Sequence, residues 1–127
     1  MLDKEQTKNF FEAIWMHKYN GKYYLSYSGK GEIQYAMADN ILGPYEFMGT
    51  ILPKVSSGTN HHSIVEYKGK WYLFYHNSEL YFMNHPEEER KFGWGHEGSP
   101  HPYRRSICFQ ELQYDEDGSI QQVSLTD

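Results

Sequence analysis

Several things are scarce in this chain, and each shortage excludes something. A single cysteine, Cys108, stands among 127 residues, so no internal disulfide can form and cysteine usage says little about compartment. No apolar run approaches the roughly 18 residues that mark a membrane-spanning helix. Basic charge is short: 12 Lys and Arg face 17 Asp and Glu, a formal net charge of −5. A nucleic-acid binder normally carries a basic stripe, and no basic run here exceeds two residues, as at Arg104-Arg105. Neither a nucleic acid nor a membrane is therefore expected as a partner. Ala and Leu, strong helix formers, are also scarce. The segment Met1 to Gln6 is charged and has no apolar h-region, so no signal peptide is expected within this chain.

What is abundant points to strands. Twelve Tyr, seven Phe and three Trp accompany eleven Gly, a mixture that favours pleated, half-buried surfaces and tight turns. An internal repeat organises them. Residues 18–28 read Lys-Tyr-Asn-Gly-Lys-Tyr-Tyr-Leu-Ser-Tyr-Ser and residues 66–76 read Glu-Tyr-Lys-Gly-Lys-Trp-Tyr-Leu-Phe-Tyr-His. Six of the eleven positions are identical, from Tyr19/Tyr67 to Tyr27/Tyr75, at an offset of 48 residues. A period of about 40 to 50 with β composition is the range of propeller blades.

Each copy is a hairpin by its own chemistry. Asn20-Gly21 and Lys68-Gly69 supply the positive φ of two-residue turns. They lie between the strand-like runs Ala13–Tyr19 and Lys22–Ser28, then Ser63–Tyr67 and Lys70–His76. Glu32–Ala38 alternates as a half-buried strand does. The break at Asn40 to Pro44 precedes a further strand, Tyr45–Leu52. Four antiparallel strands make a blade. Residues 78–103 hold Pro86, Pro100 and Pro102, the run Glu87-Glu88-Glu89 and no periodicity, which reads as a long loop insertion. Arg104–Tyr114 returns to strand, Asp115 to Gly118 turns, and Ser119–Val123 is expected to close as a last strand. The fold class is all-β, and residues 1–127 supply about two and a half four-stranded blades. So few blades cannot close a propeller, so the sequence reads as part of a larger one.

Four segments, in order, resemble glycoside hydrolase family 43. Phe11-Glu12-Ala13 followed by the Lys18–Ser28 hairpin resembles the family's general-acid segment, with Ile14 where proline is usual. Gln34 to Asp39 with Leu42-Gly43-Pro44-Tyr45 resembles a substrate-subsite strand and the Gly-Pro-aromatic turn after it. Gly58-Thr59-Asn60-His61-His62-Ser63-Ile64-Val65 resembles the Gly-x-x-His-(His)-Ser motif. Arg105-Ser106-Ile107 before Asp117-Gly118-Ser119-Ile120 resembles the family's ending. The resemblance implies the C-terminal part of a five-bladed catalytic propeller. The implied activity is an inverting glycosidase that releases arabinofuranosyl or xylosyl residues from plant cell-wall polysaccharide.

Inverting hydrolysis uses one carboxylic acid on the leaving oxygen and one carboxylate on a water, roughly 6.5 to 9.5 Å apart. On residues alone Glu12 is an ordinary surface glutamate as readily as an acid flanked by apolar Phe11 and Ala13. The resemblance assigns it as the general acid. It also implies that the base and a pKa-modulating Asp precede this segment, and Asp3, Asp39, Glu66, Asp115 and Asp117 match neither. His61 takes from the resemblance a place near a water-mediated calcium ion, an optional structural cofactor, since calcium prefers oxygen ligands. His62 and Arg105 are candidate substrate-binding residues, Arg105 through its fixed fork of donors; a solvated strand arginine is its alternative. Trp94, with His96, His101 and Tyr103, is a candidate sugar-stacking rim or an anchor of loop packing. Zinc on His96 and His101 lacks a third ligand, and Cys108 reads as core.

Two other outcomes stay open. One is a non-catalytic propeller module that binds carbohydrate or another partner. The other is a structural half that self-associates or pairs with a separate N-terminal half.

Overall fold

The structure, a computed structural model, describes residues 2–55, 60–87 and 105–125. It contains two antiparallel sheets. The first has the order β1-β2-β3-β4, with β1 Glu12–Tyr19, β2 Lys22–Gly29, β3 Glu32–Ala38 and β4 Glu46–Leu52. The second has the order β5-β6-β7, with β5 Ser63–Tyr67, β6 Lys70–Asn77 and β7 Ser106–Leu112. The described residues thus make one four-stranded blade and three strands of a second.

The repeat is explicit in the geometry. Asn20 and Gly21 have φ of 49° and 80°, and Lys68 and Gly69 have 51° and 80°, so both hairpins turn through two left-handed residues whose twist matches the strands. The registers agree: Tyr19 lies opposite Lys22, and Tyr67 opposite Lys70.

The faces turned toward each other form one core. Tyr24, Ile33, Tyr35, Met37 and Ile51 from the first sheet meet Ile64, Leu73, Tyr75 and Leu112 from the second. Trp15 spans the boundary, donating its indole N–H to the Ile64 carbonyl at 3.2 Å. The opposite face of the first sheet buries Leu25, Ala36, Ala38 and Tyr45, with Leu2 packed against them. The N-terminal segment is tied there too: Tyr27 donates to the Lys8 carbonyl at 2.7 Å, and Asn9 to Gln34 at 2.9 Å.

Two expectations are corrected. The segment 78–103 does not open as irregular loop, because Glu79–Asn84 forms a short helix, α1, that buries Phe82. Ser78 is its N-cap residue, and Asn77 Oδ1 just before it accepts the Glu79 N–H at 3.1 Å. Ser119–Val123 is not a strand either. Only one isolated bridge, Tyr114 to Ile120, forms there. Two of its backbone donors go across the core instead: the Ile120 N–H to the Tyr35 hydroxyl at 2.8 Å and the Val123 N–H to the Ile51 carbonyl at 2.9 Å. Buried donors must find partners, and these two find them on the first sheet.

Candidate active site

Glu12 opens β1, where strand alternation would put it on the face of Ile14 and Met16. A bulge prevents that. Glu12 pairs with Ser28 and Trp15 with Ser26, so β1 carries one extra residue against β2. Ala13 absorbs it with a φ of 63°, a conformation that costs a non-glycine residue about 1 kcal/mol or more. The extra residue flips the parity, and Glu12 joins Trp15 on the face toward the second sheet. Its carboxylate Oε1 there lies 3.7 Å from His61 Nε2, an ion pair whenever His61 is protonated. The two side chains are 43% and 53% exposed. Phe11 is itself 71% exposed, so the apolar neighbours in sequence do not shield Glu12.

The repeat explains why these residues meet. At the 48-residue offset Ala13 corresponds to His61, so the two occupy equivalent ends of adjacent blades. His61 is held in turn by β6. Its main-chain N–H donates to His76 Nε2 at 3.1 Å, and the two rings lie 5.9 Å apart. His76 is buried, and burial, with the charges of Arg105 and His61, holds it at about 4 instead of 6.5. Arg105, exposed just before β7, is therefore within electrostatic reach of the same group.

His62 turns the other way, as adjacent residues of an extended chain do. Its Nε2 lies 2.7 Å from Ser26 Oγ in β2, and its Nδ1 is buried without a hydrogen-bond partner. Burial first, then the neighbouring His17 and His61, push its pKa down to about 3. Held by Ser26, His62 ties the two sheets together.

The profile of glycosyl hydrolases family 43 matches residues 2–120. The chain belongs to that family. It is 44% identical over 125 residues to a β-xylosidase of Xylanibacter ruminicola, covering 96% of this chain and 34% of that protein. A xylosidase/arabinosidase of Bacteroides ovatus is 47% identical over 119 residues, covering 91% of this chain and 31% of that protein. Among solved structures, a family 43 β-xylosidase/α-arabinofuranosidase from a compost microbial metagenome, in complex with xylotriose, superposes with a TM-score of 0.71. That match has 45% identity and covers 93% of this chain and 31% of that one. These neighbours are five-bladed propellers, so the two sheets are blades of that fold. The chain spans about a third of the length of the curated relatives it matches.

Trp94, His96, His101 and Tyr103 lie outside the described residues. Among the described residues no group of three or more His, Cys, Asp or Glu side chains is arranged to hold a metal ion. The His61 ring, expected near a hydrated calcium ion, faces the Glu12 carboxylate at 3.7 Å. His76 escaped the sequence reading. The signal was available, since the repeat places it where Ser28 stands, and Ser28 lies opposite Glu12.

Proposed function

We propose that this chain is the general-acid portion of an inverting, exo-acting glycosidase that removes xylosyl or arabinofuranosyl units from plant cell-wall polysaccharide or its oligosaccharides. The observation that carries the proposal is the bulge at Ala13, which brings Glu12 beside His61 at a strained residue. Such strain concentrates where a side chain must be aimed. In this reading Glu12 protonates the departing oxygen while a carboxylate on the far side of the sugar activates water. Arg105 donates to sugar hydroxyls beside it. The activating carboxylate comes from blades outside this chain, in keeping with its one-third coverage of its relatives. The substrate class follows from the relatives' names and from the xylotriose bound to the metagenomic enzyme.

The test puts residues 2–120 in place of the matching segment of the Bacteroides ovatus relative and compares two substrates. Glu12→Gln should lower kcat on a xylo-oligosaccharide by roughly 10²- to 10⁴-fold, the usual worth of a general acid. An aryl glycoside with a good leaving group needs little protonation and should lose far less. Equal losses on both would assign Glu12 to binding or folding and sink the acid role.

A further inference from the structure

His76 stands in β6 at the boundary between regular pairing and the loop that carries His61. The β5–β6 ladder begins at Ser63 opposite Phe74, so the His61 N–H lies beyond it and no strand carbonyl receives it. The His76 side chain receives it instead, through Nε2 at 3.1 Å. The rings lie nearly parallel, at 28° and 5.9 Å. An apolar side chain could fill that volume without the cost of burying an imidazole, which must be offset by a hydrogen bond. His61 then carries the position onward, its Nε2 3.7 Å from Glu12 Oε1.

We propose that His76 is a positioning residue: by accepting the His61 main-chain N–H it holds the His61 ring against the Glu12 carboxylate, a relay from β6 to β1 across the blade boundary. The inference rests on the reading of Glu12 as the general acid, but its geometry can be tested without turnover. Only an acceptor at the far edge of the side chain can make the bond. A glutamine places its Oε1 near the position of Nε2, whereas the oxygen of an asparagine stops one bond short.

The experiment records His61 ring resonances by NMR on the isotope-labelled chain, with and without Glu12→Gln. The Trp15 indole N–H serves as reporter of sheet packing, since it bonds Ile64 across the boundary. Glu12→Gln should shift the His61 resonances in the wild-type chain and equally in His76→Gln. In His76→Asn the shift should be lost while the Trp15 signal stays in place. A full Glu12→Gln response in His76→Asn would overturn the proposal. So would loss of the response in His76→Gln, or unfolding of His76→Asn beside a folded His76→Gln, which would assign His76 to the fold alone. A wild-type chain blind to Glu12→Gln would remove the His61–Glu12 contact and the relay with it. Failure of the acid role appears separately, in the leaving-group comparison on the grafted enzyme, and leaves the NMR result standing.

Discussion

Besides His61, three histidines lie in or beside the boundary between the blades. His17 is buried in β1, its Nε2 2.9 Å from the Tyr114 hydroxyl and its Nδ1 without a partner. Burial lowers its pKa from 6.5 to about 4, and His62 and His76 are lowered to about 3 and about 4. Below pH 6.5 the unfolded chain takes up protons on these rings while the folded chain does not. Stability therefore falls as pH drops from about 6.5 towards 4, where the His17 and His76 contributions level off. For His17 alone the loss is on the order of 2–3 kcal/mol. Asp117 is also lowered, by hydrogen bonds from Ser119, but its contribution is lost only below its ordinary range near 3.8, outside this window. Urea midpoints by tryptophan fluorescence between pH 7 and 4 should decline, and His17→Phe should flatten the slope. A flat wild-type profile would contradict the neutral, buried rings. At this scale Glu12 was legible through its motif. Its orientation was not, because a bulge at Ala13 leaves no mark in an alternation count. His76 was passed over because a histidine ending a strand looks like any other polar strand residue.

At the scale of elements, turn chemistry was the most legible feature. Asn20-Gly21 and Lys68-Gly69 announce hairpins because few residue pairs tolerate two consecutive positive φ angles. The helix α1 was not legible, since its six residues are too few to show a 3.6-residue period. The closing segment differs for another reason: its sequence suits a strand, yet the Ile120 and Val123 donors find partners across the core. Gly118 fixes that segment. It has a φ of 88°, and a Cβ there would stand 2.9 Å from the Tyr24 hydroxyl and 3.1 Å from Met37 Cε. Tyr24 in turn donates to the Gly118 carbonyl. Gly118→Ala combines backbone strain with a clash against a fully buried ring, and should destabilise by about 2 kcal/mol. Chemical denaturation measures it. Gly21→Ala is the control, because it has a similar φ of 80° but nothing within 4 Å of the added Cβ. The Gly118 variant should lose more, and an equal loss would mean that the Tyr24 contact carries no energy.

For the molecule as a whole, the 48-residue repeat revealed the architecture, and the unmatched faces of its sheets determine how the isolated chain should behave. Val65, Phe74, Ile107 and Phe109 of the second sheet are 43%, 38%, 84% and 64% exposed, and Phe74 and Phe109 stack on one another. On β1, Ile14 and Met16 are 57% and 38% exposed. Among the described residues β7 is also the edge of its sheet, beside this apolar surface, the combination that drives pairing with another chain. Light scattering on the purified chain should therefore show association. The net charge of −5 opposes it, so association should strengthen between low salt and about 0.15 M, where the screening length falls to about 8 Å. Ile107→Lys with Phe109→Lys should return the chain towards a monomer, because charge on an edge strand blocks strand addition. The same preparation should not turn over an aryl xyloside or arabinofuranoside. An inverting site without its water-activating carboxylate loses a group typically worth about 10²- to 10⁴-fold. A monomer that cleaves either substrate would place a complete site within these residues, and would assign the exposed faces to surface that needs no partner.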